Sequence, residues 1–433
     1  MDMDIQSRPD PVARARELGA EIAAAADEIE RTRRIPEALL GRLHDSRLFR
    51  MLLPRSAGGD ETEPAVYVAA IEELAQRDAS IAWNVFVANS SSLIAAYLEP
   101  AVNHAVFADP RSIVAWGPPN ASRARAVDVG YRLTGKWDFA SGCRQARWMG
   151  AHCHVLEADG ALRLNRFGRP TVRTLLFPAS DATLLDTWRT IGLCGTASDS
   201  YCVNDVFVSE AFSTTREDPT LRHERGPLYA FTMQCLYATG VAAVGFGIAR
   251  AMLSEFITLA SRKAPRGLAR LADNAVVQAD VARAEARLGS ARAYLIETLT
   301  TIYAHADDVA PIEVADRARV RLACTNAIQG AAEVADFAYK GSGRRRDLPG
   351  QPVRAPLPRH AHALSADPGT RRPFRVGRAD PARRAARGVS LKWRRFARPG
   401  ADLHLALGLE RASYRFKPPF RKGGICLGRR SAD

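Results

Sequence analysis

The sequence lacks the features that mark disulfide-bonded secreted proteins. Its 433 residues include 7 cysteines, an odd number, and no two of them form a Cys-x-x-Cys pair. The N-terminal segment "MDMDIQSRPDPVARARELGA" is polar and has no apolar core of the kind that a secretory signal needs. Scattered thiols without pairing are typical of reduced intracellular proteins. The composition therefore predicts a cytoplasmic protein without disulfides.

Long apolar runs and metal-ligand clusters are also missing. The longest apolar run, from Cys235 to Ala249, is studded with glycine and shorter than a membrane span. It predicts a buried helix packed closely on its neighbours, and its glycines lack the spacing of a dinucleotide fingerprint. His152 and His154 alternate on one face of a predicted strand, but no carboxylate or cysteine pattern completes a site. We expect neither a membrane span nor a metal ion.

Acidic residues are scarce at one end of the chain only. The formal net charge is +14, but residues from Gly341 onward hold 23 Lys and Arg against 6 Asp and Glu. The preceding 340 residues are close to neutral, with a net charge of −3. A basic segment of this kind can bind nucleic acid by neutralising phosphates, which is one hypothesis for it. Because the first 340 residues are close to neutral, we do not expect them to bind nucleic acid.

The pattern of apolar residues divides the chain into three regions and a tail. Helical spacing covers most of the first 110 residues, short β-rich segments separated by turn residues follow to about 210, and helical spacing then returns over 228–262, 271–305 and 312–340. This order predicts a mainly α protein with a central β-domain. We expect a helical domain at 1–111, a β-domain at 112–212, a helical bundle at 213–343, and an aberrant basic tail at 344–433.

Three stretches carry unusual side chains. "GYRLTGKWDFASGC" (Gly130–Cys143) predicts a β-hairpin with an aromatic-rich return strand. "TWRTIGLCGTASDSYCVNDVFV" (Thr187–Val208) predicts a turn followed by a strand. "DASIAWNVFVANSSSL" (Asp78–Leu93) predicts a mostly buried helix. Ordinary core packing accounts for most of these residues.

Taken together, these stretches resemble the acyl-CoA dehydrogenase superfamily over about residues 10–343. Phe139-Ala140-Ser141-Gly142 is similar to its flavin-contacting segment, in the form found in a monooxygenase-like branch; dehydrogenases have Trp-Ile-Thr-Asn there. Gly192–Ser198 is similar to the motif Gly-x-Arg-Gly-Thr-Gly-Ser, with Cys194 in place of Arg and Ala197 in place of Gly. The resemblance implies an N-terminal helical domain, a middle antiparallel β-barrel and a C-terminal four-helix bundle with flavin between them.

The resemblance also implies site residues. In such a site an aromatic side chain packs on the flavin ring, and a small hydroxyl beside the ring can make a hydrogen bond at N5 or at the adjacent reactive carbon. Ser141 is the predicted catalytic residue. The predicted cofactor-binding residues are Trp137, Phe139, Ala140, Ser141, Thr196, Ser198 and Arg266, with Trp188 as a further candidate, and the predicted substrate-pocket residues are Trp83, Asn89 and Ser92.

The implied activity is hydroxylation of an aromatic or heteroaromatic substrate with O2 and reduced flavin, either FAD or FMN. A separate flavin reductase and a homotetramer are expected partners. One alternative is an acyl-CoA dehydrogenase, which needs a carboxylate base; Gly226–Ser254 contains no Asp or Glu. A further alternative is an inactive remnant.

The tail departs from the family after "YKGSG". Codons compatible with "DLPGQPVRAPLPRHAHALSADPGTRRPF", read one base later, can encode the segment with which the branch continues, including its active-site histidine. We therefore hypothesise a shift of the reading frame between about Gly343 and Asp347. The last helix of the bundle would then be lost, and His360 and His362 would not be the family's catalytic histidine.

Overall fold

The computed structural model describes residues 10–215, 218–264 and 270–342. Before the first strand, the described chain forms helices where the apolar spacing predicts them. Asp10 and Asp78 begin two of these helices, because each carboxylate accepts hydrogen bonds from backbone N–H groups of the first turn. The helices are α1 (Pro11–Glu17), α2 (Gly19–Thr32), α3 (Glu37–Asp45), α4 (Pro64–Ala75), α5 (Ala79–Ser92) and α6 (Pro100–Phe107).

The middle of the chain forms one sheet. Its strands are β1 (Val114–Trp116), β2 (Arg123–Val127), β3 (Gly130–Ala140), β4 (Trp148–Leu156), β5 (Val172–Pro178), β6 (Thr183–Leu185), β7 (Asp199–Ser209) and β8 (Ser213–Thr214). They pair in the order β6-β7-β3-β2-β4-β5-β8, and β1 also pairs with β4.

The sheet corrects the prediction of an antiparallel barrel. Both β1 and β2 run parallel to β4, as two pieces of an interrupted strand. The interruption contains Pro118 and Pro119, which have no N–H to give to the ladder. The strands β6 and β8 end the pairing order and do not pair with each other in the described part of the chain. The sheet is therefore mixed and not closed.

Long helices follow the sheet: after the short α7 (Pro227–Ala230) come α8 (Met233–Arg262), α9 (Ala275–His305) and α10 (Val314–Gly341). As predicted from its glycines, α8 packs closely on its neighbours. A Cβ at Gly240 would lie 2.3 Å from the ring of Phe86 on α5, and one at Gly247 would lie 2.4 Å from the Cβ of Ala75 on α4. The predicted fourth bundle helix and the basic tail lie outside the described residues.

Two segments, Ala79–Tyr97 and Met233–Arg262, have the length and hydropathy of a membrane span. The protein itself buries 89% and 72% of their apolar windows. Both segments therefore serve as core helices here, as expected for the run from Cys235 to Ala249.

The apolar core has three parts. The largest joins the N-terminal helices to α8, α9 and α10, and the second fills the interior of the sheet. A smaller part lies between α6 and the strand β1. This layout gives the predicted order of helices, sheet and helices, while the domain limits at 111, 212 and 343 stay predictions.

Candidate active site

The end of strand β3 carries an irregularity that turns one aromatic ring outward. Trp137 pairs with Tyr201 on β7, and Ala140 pairs with Asp199, so two residues of β3 face one of β7. Such a β-bulge re-aims a side chain, and bulges are common beside active sites. Phe139 lies in this bulge with a left-handed backbone (φ 62°), and its side chain is 60% exposed.

Directly after the bulge, the Ser141 hydroxyl joins three elements. The indole Nε1 of Trp83 on α5 donates to Ser141 Oγ at 3.1 Å. Ser141 Oγ lies 2.6 Å from Ser198 Oγ, and Ser198 Oγ lies 2.7 Å from Thr196 Oγ1. Thr196 Oγ1 in turn donates to the carbonyl of Leu193 at 2.9 Å. The structure thus brings together four residues predicted from two separate motifs and a helix.

The turn that carries Thr196 is conformationally strained. Leu193 (φ 54°) and Ala197 (φ 44°) both adopt left-handed backbone on either side of a 3-10 turn, Cys194–Thr196. Each such residue costs about 1–2 kcal/mol, and strain of this kind concentrates at functional sites. The turn also approaches the N-terminal helices closely, since a Cβ at Gly195 would lie 2.1 Å from Ile29 Cγ2.

Trp188 lies at the edge of the same group. Its indole Nε1 donates to the Leu193 carbonyl at 2.9 Å, and its ring meets the ring of Phe139 edge-on, with centroids 6.2 Å apart. The two rings form an apolar surface beside Ser141, and Phe139 is its exposed part.

An ionic network that sequence reasoning missed holds this segment in place. Asp199, 1% exposed, accepts from Arg144 Nε at 2.6 Å and from the backbone N–H groups of Thr187 and Trp188, both at 2.9 Å. Arg144 also contacts Asp186, and Arg33 on the chain after α2 reaches both Asp186 and the Trp188 carbonyl. Arg33 and Asp186 lie 153 residues apart in sequence, so no local motif indicates that they pair.

Charges in the network shift one pKa strongly. The hydrogen bond from Arg33 holds the pKa of the Asp186 carboxyl well below its usual range, and the charges of Arg189 and Arg33 and a bond from Arg144 act in the same direction. Asp186 therefore stays ionised at a lower pH than an ordinary aspartate and pairs with three arginine side chains, those of Arg33, Arg144 and Arg189.

Trp137, predicted to bind cofactor, lies elsewhere. Its side chain is fully buried, stacks on Tyr201 with centroids 5.3 Å apart, and donates from Nε1 to the His152 carbonyl at 3.0 Å. A flavin ring could reach it only by opening the core of the sheet, so this prediction is corrected. Ala140 is also fully buried.

Asn89 and Ser92, predicted to line a substrate pocket, are held inside the helical core. The Asn89 amide makes bonds to the backbone of Leu48, Val85 and Leu52, at 2.8, 2.8 and 2.9 Å. Ser92 Oγ donates to the Asn89 carbonyl at 2.8 Å. The structure does not bring these two side chains to Ser141. Arg266 lies outside the described residues.

A cavity of about 230 Å³ lies against the same segments. It is lined by Arg34, Arg111, His44 and Asn84, with Gly142 and Thr196 on the side of the hydroxyl group, but neither Phe139 nor Ser141 lines it. Burial, with the charge of Arg111, lowers the pKa of His44 to about 4. The cavity is therefore distinct from the apolar surface beside Ser141.

Metal and disulfide chemistry find no support in the described part of the chain. It holds no group of three or more His, Cys, Asp or Glu placed to bind a metal ion. Six cysteines are free and buried: Cys143, Cys153, Cys194, Cys202, Cys235 and Cys324. Burial raises the pKa of each thiol that shows a shift, for example Cys143 to about 12.

Comparison with known protein families identifies the class to which this chain belongs. Models of the acyl-CoA dehydrogenase N-terminal and C-terminal domains match residues 13–105 and 239–356. The chain belongs to the acyl-CoA dehydrogenase superfamily, and within it to the flavin-dependent monooxygenase branch. The resemblance recognised in the sequence is confirmed.

The relatives support this placement. Indole-3-acetate monooxygenase from Pseudomonas putida is 32% identical over 336 residues, which cover 75% of this chain and 81% of that protein. The oxygenase component of an FADH2-dependent resorcinol hydroxylase from Rhizobium sp. is 31% identical over 286 residues, covering 62% and 67%. The structure of XiaF from Streptomyces sp. with FADH2 and glycerol superposes with a TM-score of 0.72 at 25% identity, covering 82% of this chain and 90% of XiaF.

The residues present fit a flavin. A flavin ring has a flat apolar face and polar atoms at its edge, and it needs a flat apolar partner and a hydrogen-bonding group beside it. Phe139 and Trp188 offer the aromatic surface, and Ser141 offers the hydroxyl. The buried hydroxyls of Ser198 and Thr196 hold the Ser141 hydroxyl in place through hydrogen bonds.

Proposed function

We propose that this chain is the oxygenase component of a two-component flavin-dependent monooxygenase that hydroxylates a small aromatic or heteroaromatic substrate. Phe139 and Trp188 would hold the ring of a reduced flavin, and Ser141 would contact its N5 edge. The bound flavin supplies the activation of O2. The observation that carries the proposal is the placement of the Ser141 hydroxyl, bonded to Trp83 and Ser198, beside the exposed ring of Phe139.

The side chains here have separate roles. Phe139, in its bulge, presents a flat face and excludes water from one side of the bound ring. Ser141 holds a hydrogen bond at one fixed point, and Trp83 fixes the Ser141 oxygen from the side of α5. The Arg33, Asp186, Arg144 and Asp199 network keeps the backbone of Trp188 in place. Groups that are already held in position can stabilise charge that develops during a reaction, because they do not have to reorient first.

The relatives and the sequence of α8 favour a monooxygenase over an acyl-CoA dehydrogenase. A dehydrogenase needs a carboxylate to take a proton from its substrate. The resemblance places one form of that base early in the first long C-terminal helix, but Gly226–Ser254, which includes the first part of α8, contains no Asp or Glu. The Pseudomonas and Rhizobium relatives are named as a monooxygenase and as the oxygenase component of a hydroxylase, which agrees with the Phe-Ala-Ser-Gly form of the motif.

The partners belong to the same proposal. Support for a separate flavin reductase comes from the Rhizobium relative, which is named as an oxygenase component. A homotetramer and a cytoplasmic location are proposed from the family resemblance and from the six buried free thiols. Light scattering of the purified chain tests the tetramer, and a smaller assembly would contradict it. FAD and FMN are both candidates, to be separated by titration.

Three measurements test the proposed function. Anaerobic titration of the full chain with reduced FAD and reduced FMN should show saturable binding. Addition of air and a panel of small phenols and indoles should then give a product heavier by one oxygen atom, while no acyl-CoA thioester should bleach the oxidised flavin. Bleaching by an acyl-CoA would support the dehydrogenase. Absence of any flavin binding would support the inactive remnant.

A further inference from the structure

The cavity of about 230 Å³ collects polar atoms that have no partner inside the protein. His44 Nδ1, Asn84 Oδ1 and Gln145 Nε2 are buried and make no hydrogen bond in the described structure, and all three residues line the cavity. The side chains of His44 and Asn84 belong to residues that are only 8% and 2% exposed. An unpaired buried polar atom costs about 1–3 kcal/mol. Three such atoms around one cavity indicate that a polar occupant supplies the missing hydrogen bonds.

The amide of Asn84 has a fixed orientation, which makes its free atom an acceptor. Its Nδ2 donates to the carbonyls of Ser80 and Gly195, both at 3.0 Å, and a carbonyl can only accept. The oxygen Oδ1 is therefore the atom left for the cavity. A Cβ at Gly142 would lie 3.2 Å from Asn84 Oδ1 and 3.7 Å from Gln145 Nε2. A free acceptor and a free donor thus lie close to one point, where a single hydroxyl can bond to both.

The charge of the lining favours an anion. Its described residues include four arginines and one carboxylate: Arg34, Arg111, Arg144, Arg147 and Glu37. Aspartates outside the lining pair with two of the arginines. The other two, Arg34 and Arg111, form no ion pair among the described residues, and Glu37 offsets only one of them. His44 adds no charge near neutral pH, because burial, with the charge of Arg111, lowers its pKa to about 4.

The size of the cavity suits a small organic molecule. One water occupies about 30 Å³ of liquid, and a cavity of about 150 Å³ holds a molecule as large as benzene. Ile35 and Leu40 add apolar surface to the lining, and Ile35 is 7% exposed. The cavity therefore has room, charge and apolar surface for a short carbon skeleton with polar groups.

We propose that this cavity binds a small hydroxycarboxylate, with its carboxylate at Arg34 and Arg111 and its hydroxyl between Asn84 and Gln145. Arginine pairs well with carboxylates because its N–H groups match both oxygens. The site is distinct from the apolar surface beside Ser141, so the inference is independent of the proposed function. The occupant would contact α3, α5 and the turn Cys194–Thr196 together. Because it binds the folded state, it should raise the melting temperature.

The test is calorimetric titration of the full chain, without flavin, with three probes of one carbon skeleton. The probe 3-hydroxybutyrate carries both groups, butyrate lacks the hydroxyl, and butane-1,3-diol lacks the carboxylate. We expect 3-hydroxybutyrate to bind saturably and butyrate to bind about three- to tenfold more weakly, because it lacks one hydrogen-bonding group. The diol should show no saturable binding. Equal binding of the diol and 3-hydroxybutyrate would contradict recognition of an anion.

Two variants assign the binding to this cavity. The arginine-rich segment after Gly341 can attract any anion, so the comparison is made between chains that all contain it. Arg111→Gln removes one unpaired cation and should weaken both carboxylates about three- to tenfold. Gln145→Met removes the amide while keeping the side-chain length, and it should reduce the advantage of 3-hydroxybutyrate over butyrate.

Arg123→Gln is the matched control for charge. Arg123 is an exposed arginine on β2 that does not line the cavity, so its replacement should leave the affinity for 3-hydroxybutyrate unchanged. If 3-hydroxybutyrate does not bind saturably, or binds equally to the unaltered chain and all three variants, the cavity holds only water and the inference is overturned. Either result leaves the proposed function standing, because no flavin takes part in the experiment.

Discussion

Trp83 on α5 and Ser141 after β3, 58 residues apart, are joined by a 3.1 Å hydrogen bond from the indole Nε1 to the serine Oγ. The bond ties the N-terminal helices to the sheet at the residue that the motif marks as catalytic. It also occupies one of the two lone pairs of Ser141, so the helix restricts how the hydroxyl can meet a ligand.

Trp83→Phe should lower the rate of hydroxylation by about three- to tenfold, because the ring remains while the N–H that positions Ser141 is lost. The melting temperature should change little, since Trp83 is only partly buried. Steady-state turnover with reduced flavin measures the effect. Trp148→Phe is the matched control: that ring stacks on Phe212 at 5.4 Å, away from Ser141. Equal losses in the two variants would contradict a specific role for Trp83.

Ala197→Gly should stabilise the fold. Ala197 has φ 44°, a conformation in which a Cβ costs about 1–2 kcal/mol, so glycine relieves strain in the folded state. Glycine also makes the unfolded chain more flexible, which offsets part of this stabilisation. We expect the free energy of unfolding to rise by about 0.5–1 kcal/mol. Denaturant unfolding measures it. Ala140→Gly, a buried position in the facing segment without a positive φ, should instead destabilise. A loss of stability in Ala197→Gly would show that the turn gains from its alanine.

Asp199→Asn should destabilise the protein by about 2–4 kcal/mol, because it removes the charge that a largely buried Arg144 faces. It should also weaken flavin binding, since the Asp199 carboxylate holds the backbone of Thr187 and Trp188. Thermal unfolding and a flavin titration measure the two effects. Asp205→Asn, at an exposed ion pair with Arg132, serves as control and should change neither. Normal stability in Asp199→Asn would refute the network's role.

Acid should remove the contribution of Asp186. Its pKa is held low in the folded protein, first by the bond from Arg33. A carboxyl with a depressed folded pKa stabilises the fold above its unfolded pKa, about 3.9, and the contribution disappears as the pH falls through the folded value. The difference in melting temperature between the unaltered chain and Asp186→Asn should therefore persist from neutral pH to about pH 4 and shrink below it. A difference that grows on acidification would contradict this assignment.

The structure brings Phe139 and Ser141 together because both lie in one short motif. They are two residues apart in sequence, and the bulge that exposes Phe139 lies just before Ser141. Trp137 was misplaced because strand alternation buries it two residues before the exposed ring, and the bulge that changes the alternation is invisible in the sequence. Asn89 was predicted to line a pocket because it is a polar residue on a mostly apolar helix. In the structure its amide makes hydrogen bonds to backbone groups in the core instead.

Long-range contacts escaped prediction for a different reason. Arg33, Arg144, Asp186 and Asp199 come from three separate stretches, and only the fold brings their charges together. The order of helices and strands followed from apolar spacing. The parallel pairing of β1 and β2 with β4 did not, because spacing shows where strands lie and not which neighbours they choose.

The central claim is that reduced flavin binds against Phe139, beside Ser141. The most direct measurement is anaerobic titration of reduced flavin with the unaltered chain, Phe139→Ala and Phe139→Tyr. Phe139→Ala should bind about tenfold more weakly, because it removes the exposed aromatic face, while Phe139→Tyr keeps that face and should stay within about threefold. Equal affinity of the unaltered chain and Phe139→Ala would contradict the account.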